Sequence, residues 1–197
     1  MNLVARAKAI LMSPKQEWPV IEKETTTTAE LYTSYIVPLA AIGPIARAIG
    51  MSVLGVNLGI LGSYRVSPGN AVGGAVVGFI LALAGVWLLG WIIDFLAPKF
   101  GGQSNSSQAL KVAAYSSTAA WLAGGFAIVP ALAILGILGL YSLYLLYLGL
   151  PALMKSPQDK SLGYTVVVVV AAIVIFAVIG LCAGRLFPYG RPGLRLG

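Results

Sequence analysis

The amino-acid sequence predicts an all-α, polytopic membrane protein: five transmembrane helices preceded by a short amphipathic N-terminal segment. Three observations carry this. Between Lys111 and Lys155 no side chain is charged, and a bilayer core is spanned by about 20 apolar residues of helix, so that stretch alone holds two crossings. The 197 residues are 58% hydrophobic and 10% charged, with a mean hydropathy of +0.90, far from the balance of a water-soluble domain. Inside hydrocarbon the backbone must satisfy its own N–H and C=O groups, and runs of this length do so as helices.

Taken in order, the chain opens with Arg6 and Lys8 ahead of a brief apolar run, Ala9 to Met12, that Ser13 and Pro14 end. That run is too short for the core of a secretory signal peptide. Leu3, Ala7, Ile10 and Leu11 recur at helical spacing with Arg6 and Lys8 elsewhere on the wheel, so residues 2–12 read equally as a short helix in the membrane interface or a solvated helical turn. Pro14, Trp18 and Pro19 are expected to break any regular helix, and Glu17, Glu22, Lys23, Glu24 and Glu30 to mark an aqueous segment. Residues 1–30 thus form a cytoplasmic N-terminal segment, 31–187 a five-helix membrane domain and 188–197 a short basic tail.

The first span covers about 31–56, bent at Pro38 and Pro44; the second about 69–95; the third about 108–128, with Pro130 marking the turn after it. The fourth covers about 131–153 and the fifth about 163–186. Val166 to Val170 would read as a strand in water, but lipid favours the conformation that closes its own hydrogen bonds.

Lysine and arginine set the orientation. Five spans place Arg6, Lys8, Lys15, Lys23, Lys99, Lys111, Lys155 and Lys160 on the N-terminal side and Arg47, Arg65, Arg185, Arg191 and Arg195 opposite. The larger set predicts a cytoplasmic N-terminus. The net charge of +7 sits at span ends rather than in one dense patch, so anionic lipid headgroups, not nucleic acid, are the expected contact. There is no histidine and Cys182 is the lone thiol, which leaves no disulfide framework, zinc site or implied cofactor.

Small residues four apart, Gly55 with Gly59, Gly69 with Gly73, Gly74 with Gly78 and Ala82, and Gly180 with Gly184, let helices approach closely, first of all within the bundle and secondarily between two copies. Arg47, Asp94, Lys111 and Arg185 lie near span ends, where long side chains reach the interface, and Lys155 and Lys160 flank the connection between the fourth and fifth spans. Asp94 and Lys111 flank one connection, within reach of an ion pair. The third and fourth spans carry Tyr115, Ser116, Ser117 and Thr118, then Tyr141, Ser142, Tyr144 and Tyr147. Their hydroxyls either bond between helices and fix the fold, or line a hydrated cleft bounded by Tyr115, Thr118, Tyr141, Tyr144 and Tyr147. No histidine base, paired intramembrane carboxylates, nucleophile elbow or phosphate loop is present, so an enzyme is not expected.

The segment GLYSLYLLYLGLPALMKSPQDKSLGY, Gly139 to Tyr164, resembles the signature region of bacterial Yip-domain membrane proteins, distant relatives of the eukaryotic Ypt/Rab-interacting proteins. SPKQEW at Ser13 to Trp18, YIVPLAAIGP at Tyr35 to Pro44 and KVAAY at Lys111 to Tyr115 are similar to the same family in the same order. The resemblance implies five helices in a bacterial inner membrane, N-terminus cytoplasmic and C-terminus periplasmic. Thr118-Ala119 stands where the family is expected to have Thr-Pro, which puts a proline kink there in doubt. The eukaryotic relatives associate with prenylated Rab GTPases, typically through an Asp-Leu-Tyr-Gly-Pro-like motif that this chain lacks, so a Rab-type partner is not implied. The leading expectation is a non-enzymatic scaffold that recruits other membrane proteins or a second copy. Its competitor is a small permease or channel between the third and fourth spans.

Overall fold

The computed structural model describes residues 2–57 and 63–186, which are almost wholly helical. Two short helices open it: α1, Leu3–Met12, and α2, Pro14–Lys23. Asn2 caps α1 by accepting from the Ala5 N–H at 3.1 Å. The expectation that Pro14, Trp18 and Pro19 break any regular helix is corrected here. Pro14 occupies the first position of α2, where an N–H would have no intrahelical partner. Pro19 does remove a helical bond, but α2 buries Trp18 and Ile21 at 1% and 0% exposure, and that burial outweighs the loss.

The next helix, α3, Thr28–Leu54, is long and apolar enough to cross a bilayer. It begins with a capping box: Thr27 Oγ1 accepts from the Glu30 N–H at 3.2 Å while the Glu30 carboxylate accepts from the Thr27 N–H at 3.3 Å. The predicted bends appear as a widened π turn over Tyr32–Ile36, just ahead of Pro38, and a break at Ala41 just ahead of Pro44. A two-residue ribbon, β1 (Val56–Asn57) antiparallel to β2 (Ser63–Tyr64), ties the connection to α4, Pro68–Phe100.

The predicted third span is two helices, α5, Ser106–Ser116, and α6, Thr118–Gly124. Ser117 Oγ donates to the Ala113 carbonyl and Thr118 Oγ1 to the Tyr115 carbonyl, each at 2.7 Å, and hydroxyls bonded back in this way bend a helix without proline. After a short 3₁₀ turn and Val129 come α7, Pro130–Met154, wound as 3₁₀ up to Leu140, and α8, Ser161–Leu186, with Val166 to Val170 helical as expected. Among the described residues four helices, α3, α4, α7 and the described part of α8, are long and apolar enough to cross a membrane.

Outward faces of α4 (Val76, Ile80, Trp87, Trp91), α7 (Ile134, Ile137) and α8 (Val170, Ile173) are exposed and apolar, a belt that needs lipid as its solvent. The core lies between helices: α4 packs on α5, α5 on α7, α8 on both α4 and α7, and α2 on α7. Its largest buried side chains include Trp18, Tyr35, Tyr115, Tyr164, Ile93 and Met154. Close crossings pair α3 with α6, where a Cβ on Gly124 would lie 3.1 Å from the Gly43 Cα, and α4 with α5, where one on Gly90 would lie 3.1 Å from the Leu110 Cα. Of the predicted small-residue ridges, Gly78 faces Pro44 and Ala82 packs on the core, while Gly74 is half-buried and Gly69 and Gly73 meet nothing nearby. Gly59 and the surroundings of Gly180 and Gly184 lie outside the described residues.

Candidate functional site

Charged and aromatic groups converge where α1 and α2 dock. α2 lies along α7 and presents Trp18 to it. The indole meets the Tyr115 ring edge-on, centroids 6.4 Å apart and planes at 83°, and rests on Gly149. A Cβ there would come within 2.7 Å of the indole Cζ2, so the seat exists because residue 149 has no side chain.

Electrostatics fix the rim. The Arg6 guanidinium donates to both Glu17 and Glu24, joining α1 to both ends of α2, and lies 5.9 Å from the Tyr115 ring centroid. Burial disfavours the Arg6 cation, but the Glu24 and Glu17 carboxylates outweigh it, and its pKa stands above the ordinary value. Lys111 Nζ donates to the carbonyls of Ile21, at 3.2 Å, and Glu24, a cation on the carbonyl end of α2 where the helix dipole favours it. Gln108 Nε2 donates to the Glu22 carbonyl at 2.9 Å, and Lys155 pairs with the Glu22 carboxylate. At the other end of the head, the Tyr141 hydroxyl donates to the Leu11 carbonyl at 3.0 Å.

Between the head and the start of α3 is an open polar cavity of about 440 Å³, with Arg6, Glu17, Glu24, Thr26, Glu30 and Ser34 in its lining. Arg6 engages two of its three carboxylates, and among the described residues no His, Cys, Asp and Glu cluster could hold a metal ion. The charged groups of the site hold one helix to another.

The tyrosines of the predicted cleft do not share one space. Tyr115 and Thr118 are fully buried beside Tyr35, whose hydroxyl lies 2.7 Å from Thr118 Oγ1. Tyr141 and Tyr144 are 37% and 40% exposed with rings 5.4 Å apart, and Tyr147 is half-buried. A smaller recess of about 160 Å³, lined by Leu89, Ser116, Ser117, Ser142, Leu146 and Val169 among others, lies among the second to fifth predicted spans and holds none of those tyrosines. Asp94 and Lys111 do not pair: Asp94 accepts from the Ser104 and Ser106 hydroxyls, each at 2.8 Å. Lys155 is a rim residue, and Lys160 is exposed beyond it. Arg6, Glu17, Trp18, Glu24, Tyr35 and Gly149 carry the site without being among the residues the sequence marks as candidates for one. The available signal was the i, i+4, i+7 spacing of Pro14, Trp18 and Ile21, the buried residues of α2.

The site therefore draws on the head and on the first, third and fourth predicted spans together, and a family model of the Yip1 domain matches residues 8–179, all of that extent except the start of α1 with Arg6. The chain belongs to the Yip1 domain family. The family match takes in α2 and its tryptophan as well as the helices that receive them. This Yip1-domain chain is similar to the inner membrane protein YohC of Escherichia coli strain K12, 26% identical over 181 residues that cover 90% of this chain and 93% of that one. The protein of the same name from E. coli O6:H1 strain CFT073 is similar to the same extent. No solved structure matches.

Proposed function

We propose that this Yip1-domain protein is a non-enzymatic scaffold of the bacterial inner membrane that recruits partners at its cytoplasmic face. Five crossings with the N-terminus inside fit best. Taken together, α5, α6 and the turn after them run from Ser106 to Ile128, enough helix for about 34 Å. The head, the α4–α5 connection and the α7–α8 connection meet at one end of the bundle: Gln103 N–H donates to the Met154 carbonyl at 2.7 Å, and Lys155 pairs with Glu22. That end carries the exposed Lys8, Lys15, Lys99 and Lys160, suited to anionic lipid headgroups on the cytoplasmic leaflet. The inner-membrane assignment of YohC supports the location.

One observation carries the scaffold reading: Arg6, Glu17, Glu24 and Lys111 are engaged in holding helices to one another, the first three doing so at the wall of the open cavity. The permease reading needs Tyr115, Thr118, Tyr141 and Tyr144 along one path, and the dry packing of the first two against Tyr35 and the outward position of the others give it less support. Mild crosslinking in native membranes tests the proposal. A reproducible partner, lost when Lys8 and Lys15 are replaced by glutamate, is expected; a monomer free of crosslinks overturns it. Orientation is checked separately by cysteine labelling, Lys23→Cys reacting only from the cytoplasmic side and Arg65→Cys only from the other.

A further inference from the structure

We propose that the groove filled by α2 is a docking site for an acidic amphipathic helix with an aromatic anchor, and that the head is its built-in occupant. This rests on the scaffold reading and names the surface through which it works. The floor and rim belong to the bundle: Gly149 and Tyr115 form the seat, and Lys111, Gln108 and Lys155 form a row of donors. All three donors act on α2, two on its last carbonyls and one on Glu22. With the head withdrawn, the groove is an aromatic slot bordered by two unpaired ammonium groups, a helix-in-groove geometry that selects an apolar anchor and a negative helix end.

The head meets these demands imperfectly. Trp18 is 1% exposed, yet its indole N–H has no acceptor among the described residues, a cost that a phenylalanine anchor does not carry. Pro19 interrupts the hydrogen bonds of the same helix. The head holds its place because it is tethered, which raises its local concentration, and because Arg6 braces α2 from α1. A free helix with the same spacing, phenylalanine at the anchor and no proline meets the same rails without either defect.

The test uses the full chain in lipid nanodiscs and a fluorescein-labelled peptide of residues 13–24 carrying Trp18→Phe and Pro19→Ala. The wild-type chain binds it weakly because the tethered head competes. The Trp18→Ala chain is expected to bind at least about tenfold more tightly, since the competing anchor is gone, and adding Gly149→Leu abolishes binding. Circular dichroism verifies that each variant keeps its helices. A second chain, Arg6→Ala with Glu22→Lys, retains Trp18 as a fluorescence reporter, with Trp87, Trp91 and Trp121 replaced by phenylalanine. There, rising acrylamide quenching together with peptide binding supports the proposal. Trp18 staying shielded, or becoming quenchable without any peptide binding, overturns it. Crosslinked partners of the wild-type chain are unaffected by that failure, so the scaffold reading stands or falls on its own experiment.

Discussion

Replacing Gly149 by alanine puts a methyl group where the Trp18 ring now lies. Its Cβ would stand 2.7, 2.9 and 3.0 Å from three indole carbons, whereas relaxed carbon contacts fall at about 3.5–4.0 Å, so the ring must retreat by roughly 0.5–1 Å. It has no free direction, being 1% exposed with the Tyr115 ring edge-on beside it. Overpacking of this kind costs about 1–3 kcal/mol. Alanine in place of glycine stabilises α7 itself by up to ~1 kcal/mol, but α7 is helical with the head docked or undocked, so that gain does not enter the docking equilibrium. The expected effect is a head docked about 1–3 kcal/mol less firmly, with the undocked fraction rising about tenfold for every 1.4 kcal/mol. Acrylamide quenching of Trp18, with the other three tryptophans replaced by phenylalanine, reads that fraction directly, and trypsin cleavage at Lys15 and Lys23 reads it independently. Gly149→Leu should expel the head altogether. If Gly149→Ala leaves quenching and cleavage unchanged and raises the thermal midpoint, helix propensity alone is acting and the seat described here is wrong.

Lys111→Met keeps an unbranched chain one atom shorter but removes both hydrogen bonds to the carbonyl end of α2, and is expected to loosen the head by about 1–3 kcal/mol, seen as faster trypsin cleavage at Lys23. Tyr35→Phe and Thr118→Val each break the 2.7 Å hydroxyl contact; each should lower stability by about 1 kcal/mol, and the double variant less than the sum in thermal unfolding, whereas additivity would mean the hydroxyls do not interact. Lys155 closes α7 at a φ of 55°, so Lys155→Gly exchanges left-handed strain of about 1–2 kcal/mol for an exposed ion pair of ~0–1 kcal/mol. It should be neutral to stabilising while Lys155→Ala destabilises, and equal midpoints for the two would contradict this account of the turn.

The membrane helices were legible because lipid imposes one solution on long uncharged runs, which is why even Val166 to Val170 could be read as helix against their strand propensity. Hydropathy could not show the break at Ser117, which depends on where two hydroxyls find carbonyls. Nor could spacing show the head. Glu17 and Glu24 read as solvated, as carboxylates usually are, and their partner Arg6 lies 11 and 18 residues away with no periodicity linking them. Gly149 sits between leucines, and nothing local marks it as a seat. Tyr141, Tyr144 and Tyr147 advance by three and fan too widely for one cleft, whereas Tyr115 and Thr118 find their partner, Tyr35, on another helix.

The pairing of Glu22 with Lys155 spans 133 residues, and this has a bearing on biosynthesis. The segment made first finds its resting place on α7, so at ribosomal rates of about 5–20 residues per second it waits roughly 7–27 s. During that interval the nascent N-terminus carries an uncovered tryptophan and a Glu22 carboxylate without its lysine, while Glu17 and Glu24 already have Arg6 within reach. Emergence of α7 is the event that gives the head its seat.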